Sequence, residues 1–184
     1  MKKRIAYSVF VLAIFLVVLA GYKNINHKYP ERKTVEVTKG EKIKFTEGID
    51  ISVVDFRWFT EKEKNELYHA QNIESETLFE DEEICEITVV LENCSQEKKE
   101  FEDQYLMLES TGISNGYNFV YEKVFSERYG IEDRILEPGE MKSVTHLYNV
   151  SAAWFHDKDW KDVKERDYWL TFTSYPIRTI LWLK

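Results

Sequence analysis

At 184 residues, 43% hydrophobic and 32% charged, the chain has room for one domain with its own core but not for several. Its formal net charge of −8 drops to near −11 once residues 1–20 are set apart, because they hold three of the 25 basic side chains and none of the 33 acids. A body this acidic excludes nucleic acid and anionic lipid surfaces as partners and leaves cationic ones open.

Residues 5–22, IAYSVFVLAIFLVVLAGY, carry no charge and lie between Arg4 and Lys23. As a helix they span about 27 Å at about 1.5 Å per residue, close to the roughly 30 Å of a bilayer's hydrocarbon core. Helix is required there, because backbone in lipid must satisfy its own hydrogen bonds. The segment is read as a transmembrane anchor, with Lys2, Lys3 and Arg4 holding residues 1–4 in the cytoplasm. A signal peptide cut between Ala20 and Gly21 is the competing reading, and the protein is then secreted. Either way the remainder is exported. No cysteine ends the apolar run, which rules out a lipid-modified one. Polar residues 23–33, with Pro30, read as a linker, and 34–184 as the domain.

Val35 and Val37 start a short strand, and Ile43 and Phe45 another. Residues 49–58 predict a longer strand whose apolar face changes near Val54, the mark of a bulge. Thr60-Glu61-Lys62-Glu63 is a capping box that opens a surface helix to about Asn72, with Leu67 and Ala70 on one side. From Glu74 to Glu86 seven acids mark a stretch read mostly as mobile loop. Residues 84–94 alternate clearly, with Cys85, Ile87, Val89 and Leu91 on one face. Cys85 and Cys94 on one strand stand roughly 30 Å apart, so both are expected as free thiols.

A strand is predicted over 102–110, with Leu106 and Leu108 on one face. Asn115-Gly116 is read as a hairpin turn, with Tyr117, Phe119, Tyr121 and Phe125 on the returning strand. Leu136-Glu137-Pro138-Gly139-Glu140 makes a turn into a strand carrying Val144, His146, Tyr148 and Val150. Ser151–Arg166 reads as a charged helical or looped insertion. Tyr168–Ser174 and Ile177–Leu183, separated by Pro176, are the last strands. Seven or eight short strands with frequent turns imply an all-β fold, a two-sheet antiparallel sandwich.

Three segments carry a resemblance. They are the strand Ile87-Thr88-Val89-Val90-Leu91-Glu92-Asn93, the hairpin YLMLESTGISNGY at 105–117, and the Leu-x-Pro-Gly-Glu turn at 136–140. Together they resemble the immunoglobulin-like extracellular domains of unknown function found in Gram-positive membrane-anchored proteins and lipoproteins. The likeness covers about 34–184. It implies an immunoglobulin-like β-sandwich and an extracytoplasmic address, and it carries over no functional residue. The chain departs from the pattern in lacking a lipobox cysteine and in two insertions, at about 60–83 and 151–166.

No residue is assigned a catalytic, cofactor-binding or metal-binding role. The acidic run at 74–86 lacks the spacing of a calcium loop, and Asp157, Asp159 and Asp162 read as a polar face. His27, His69, His146 and His156 form no metal motif, and His146 is expected as a packed core residue. Ser110, Ser143 and Ser174 lie in no nucleophile elbow. Trp154, Phe155 and Trp160 are the candidate partner-binding residues, because aromatics on a charged insertion suit a sugar ring or a protein anchor. The other reading folds them back onto the sandwich. The expected function is non-catalytic binding of an envelope protein or cell-wall partner. The alternatives are an envelope enzyme acting on wall polysaccharide through paired carboxylates, or a calcium-stabilised spacer.

Overall fold

The computed structural model describes residues 2–70, 81–129 and 133–184. Helix α1 runs Lys2–Lys28, six residues beyond the apolar segment. Nothing in Lys23–Lys28 breaks a helix, and His27 and Lys28 in the last turn suit the negative end of its dipole. Pro30 disfavours helix at the residue before it and ends the element. The linker expected over 23–33 is therefore only 29–32. From Phe10 to Lys28 the helix is long and apolar enough to cross a membrane, and it buries nothing against the rest of the chain.

Eleven strands follow among the described residues: β1 Lys33–Val37, β2 Ile43–Thr46, β3 Ile49–Trp58, β4 Glu82–Asn93, β5 Lys99–Glu100, β6 Met107–Ser110, β7 Ile113–Gly116, β8 Ile135–Leu136, β9 Met141–Ser151, β10 Trp169–Thr171 and β11 Ile177–Trp182. One sheet has the order β1-β11-β10-β6-β7, the other β2-β3-β4-β9, and β5 pairs with β8 apart. Inward side chains of both main sheets share one core, from Ile51, Val89 and Tyr148 on one side to Leu108, Leu170 and Leu181 on the other. This is a β-sandwich. It is mostly antiparallel, but β1 pairs with β11 in parallel, Val35 beside Thr179. The first strand arrives from α1 and takes up the free edge of the last.

Several local expectations hold. The register of β3 on β4 slips between Val53 and Asp55, the bulge expected at Val54. Helix α2 spans Glu61–Ala70, and the Thr60 and Glu63 side chains each bond the other's backbone N–H. Both cysteines are free, Cys85 buried and Cys94 exposed. His146 is 2% exposed.

Others are corrected. The hairpin turn is Thr111-Gly112, not Asn115-Gly116. Ser110 pairs with Ile113, and Gly112 supplies the positive φ, +88°, that a tight turn needs. Asn115 instead donates its amide to the Asn149 carbonyl, 2.9 Å away. The strand expected to return through Tyr117–Phe125 is helical: α3 Phe119–Val124, then α4 Ser126–Tyr129. Asn118 caps α3 by accepting from the Val120 and Tyr121 N–H groups. Tyr121 and Phe125 are also four residues apart, a spacing that fits a helical face as well as a strand. Residues 103–105 form a 3-10 turn, leaving only Met107–Ser110 as strand. Ala70 is exposed, and α2 turns Lys64, Leu67 and Tyr68 inward. Glu82 and Glu83 belong to β4 rather than to a loop, extending the strand expected from Ile84, while 74–80 lies outside the described residues.

Candidate functional site

Chain connectivity gives the sandwich two distinct ends. Only Tyr29–Arg32 separate α1 from β1, so the start of β1 lies within about 18 Å of the end of α1. The Lys33 N–H donates to the Pro176 carbonyl, which puts the start of β11 at the same end. Thr171 at the end of β10 pairs with Met107, so the start of β6 is also there. The opposite, distal end holds Ser110, the start of β10, α2, and the 151–166 insertion.

At that distal end the three candidate aromatics separate. The Phe155 and Trp160 rings meet 5.8 Å apart and pack against the core, with the Arg166 guanidinium 5.0 Å from Phe155. Buried Val163 accepts a hydrogen bond from the Tyr168 hydroxyl at 2.9 Å, tying the insertion to the sandwich. Trp154 ends a 3-10 turn at Ala152–Trp154 and is 43% exposed. Phe155 and Trp160 are thus part of the body, and Trp154 alone of the three presents a free ring.

Helices α2, α3 and α4 cover the outer side of β4 and β9 with a second core built around Phe59, Leu67, Ile84, Tyr129 and Leu147. Two carboxylates of β4 are trapped beneath them. Glu82 accepts from the hydroxyls of Tyr68 and Tyr121 and from the Asn149 amide. Glu86 accepts from the Tyr129 hydroxyl at 2.5 Å and from the Arg57 guanidinium at 2.9 Å, and pairs with Arg128 at 3.0 Å. Burial raises the pKa of all three phenols, and the neighbouring carboxylates raise it further. They therefore stay in the protonated form that donates. Burial lowers the Lys64 pKa, but ion pairs with Glu61 at 2.8 Å and Glu83 at 3.2 Å more than offset this and the net shift is upward.

The free edge of β9 is closed by one side chain and one backbone N–H of the same layer. Glu122 accepts from the Leu147 N–H at 3.0 Å, and Asn118 donates its N–H to the Leu147 carbonyl at 2.6 Å. The same Glu122 oxygen accepts from His146 Nδ1 at 2.9 Å. His146 Nε2 stands 3.5 Å from buried Asp103, which Arg134 holds from its other side at 3.0 Å. Tyr117 stacks on the imidazole at 4.3 Å. Beside Arg128 and Tyr129, the partners of Glu86, a groove of about 370 Å³ runs between α2 and α4, lined also by Phe59, Glu63 and Phe125 among others. Among the described residues, no three His, Cys, Asp or Glu side chains are grouped to hold a metal ion.

Residues 26–179 match the family described as Domain of unknown function (DUF5028). The chain belongs to that family. The DUF5028 span takes in all of β1 to β10, the helical layer and the start of β11. No curated protein matches the chain in sequence. Three solved structures are similar in fold. An uncharacterized β-sandwich protein from Clostridium difficile 630 is 15% identical with a TM-score of 0.46, covering 84% of this chain and 97% of that one. A functionally unknown protein from Listeria monocytogenes EGD-e is 10% identical with a TM-score of 0.48, covering 73% and 71%. A conserved hypothetical protein from Bacillus anthracis is 10% identical with a TM-score of 0.45, covering 73% and 87%.

Sequence reasoning missed Asp103, Glu122 and Arg134 of the DUF5028 domain. Its signal for Glu122 was available: Asn118 as a cap, three residues ahead of Tyr121, marks a helix start. No local signal joins Asp103 to His146, 43 residues later.

Proposed function

We propose that this protein is a single-pass, membrane-anchored binding domain displayed outside the cytoplasm, and that it acts by contact rather than by catalysis. The sandwich is immunoglobulin-like on this reading. The support is the strand order, in which β6 and β7 extend a sheet begun by β10 and β11 while β4 and β9 pair in the other, with a first strand running parallel to the last. The observation that carries the function is the placement of Trp154. Its exposed ring lies on the end farthest from the tether, on an insertion that Phe155 and Trp160 hold rigid. A large ring on a fixed support suits an anchor for an envelope protein or a wall glycan, because little is lost in ordering it.

The experiment is photo-crosslinking in intact cells, with a photoreactive amino acid replacing Trp154 in the full-length chain. The reading expects one dominant adduct that is absent when the probe is placed at Lys62 on α2. Equal, diffuse labelling from both positions contradicts it.

A further inference from the structure

At the end nearest the anchor, the two sheets part around a cleft of about 330 Å³. Phe45 of β2 and Phe172, just past β10, line it and meet edge to face, with centroids 4.9 Å apart. The chain crossing between the sheets supplies Glu100, Glu102 and Tyr105. Phe101, between the two acids, is 1% exposed and fixed in the core. Alternation along extended chain then turns both carboxylates away from the core, toward the cleft they line. Tyr105 is 57% exposed, although Leu106 beside it is wholly buried.

The charges of this cleft are one-sided. Among the described residues, no basic side chain lines it. Nearby ion pairs go to other acids: Lys98 to Glu137, Lys99 to Glu97 and Arg134 to Asp103. Among the described residues, Glu102 has a 3.5 Å contact from the Gln104 amide and neither acid forms an ion pair. Aromatic faces attract a cation through their quadrupole, and carboxylates complete its neutralisation. The lining therefore suits a cation with an apolar body better than an anion or a plain apolar group. Its volume falls in the range of small-ligand pockets.

We propose that this cleft binds an alkylammonium group, and that the group belongs to an aminated lipid headgroup. The short tether keeps this end of the domain within about 18 Å of the end of α1, close to the headgroup layer. The lipid source rests on the membrane-anchored reading above. The ammonium specificity does not, so the two are tested separately.

The first arm uses the full chain in non-ionic detergent, titrated with choline and followed by the ring signals of isotope-labelled tyrosine. Choline shifts the Tyr105 signal saturably, and its uncharged tert-butyl isostere does not. Tyr105→Ala, which lacks the reporter ring and is followed by calorimetric titration beside the parent, weakens choline binding about fivefold, the worth of one cation–π contact. Glu100→Gln with Glu102→Gln weakens it about tenfold, as two exposed ion pairs would. All three positions are exposed, so the variants keep the parent melting temperature. An unsaturable response, an equal response to the isostere, or unchanged affinity in the double glutamine variant overturns the proposal. The second arm compares vesicles containing phosphatidylethanolamine with vesicles of phosphatidylglycerol alone. A Tyr105 shift confined to the first supports the lipid source. No shift there, with choline binding intact, overturns the lipid source and leaves a soluble amine as the ligand.

Discussion

Replacing Glu122 by alanine tests whether the helical layer is held by hydrogen bonds to the edge of β9. One carboxylate oxygen accepts from both His146 Nδ1 at 2.9 Å and the Leu147 N–H at 3.0 Å, and His146 is 2% exposed. The alanine leaves two buried donors without an acceptor. Each unsatisfied group costs about 1–3 kcal/mol, so the variant loses about 3 kcal/mol. For a domain of this length that lowers Tm by about 6–12 °C. Glu122→Gln retains a carbonyl acceptor of the same reach and loses about 1 kcal/mol. The assay is thermal unfolding of the full chain in detergent, followed by near-ultraviolet circular dichroism. A Glu122→Ala variant that melts with the parent, or a glutamine variant as unstable as the alanine one, refutes the reasoning.

Gly112→Ala forces a side chain into φ +88° and costs about 1 kcal/mol, whereas Gly116→Ala, with no positive φ and only an ordinary contact to Met107, changes stability little; chemical denaturation of the pair locates the turn. Trp160→Ala destabilises by about 2 kcal/mol because its ring packs on the core, while Trp154→Ala leaves Tm near the parent value. The Glu63 carboxyl is held below its usual pKa, first by the Thr60 N–H, then by the Thr60 hydroxyl and Arg57. Its contribution is full above the ordinary glutamate value near 4.3 and is lost as pH falls through the lower folded value. Urea midpoints taken across that acid range fall less steeply in Glu63→Gln than in the parent.

Features governed by local chemistry were legible in the sequence. The capping box at Thr60, the bulge at Val54, the alternation of Cys85 through Leu91, and the Pro138-Gly139 turn each depend on a few adjacent residues. The misreadings came from patterns with two solutions. Asn115-Gly116 suits a turn, but Gly112 lies three residues earlier and closes the hairpin first. Tyr117, Phe119 and Tyr121 alternate as in a strand, yet the Asn118 cap and the Tyr121–Phe125 spacing make a helix. The acids at Glu82 and Glu86 looked solvated, because their partners Tyr121, Arg128 and Tyr129 come some 40 residues later. The parallel pairing of β1 with β11 joins the two ends of the domain, and no local signal encodes it. The candidate trio divided in the same way. Composition marked Trp154, Phe155 and Trp160 alike, and only packing separates the exposed ring from the two that serve the fold.

Cys94 gives the most direct test of the address on which the functional account depends. Its thiol is free and exposed, while Cys85 is wholly buried and out of a reagent's reach. A membrane-impermeant maleimide applied to intact cells is predicted to label the full-length protein at Cys94, with labelling abolished by Cys94→Ser. Labelling that appears only after the cells are lysed would place the domain in the cytoplasm and contradict the account.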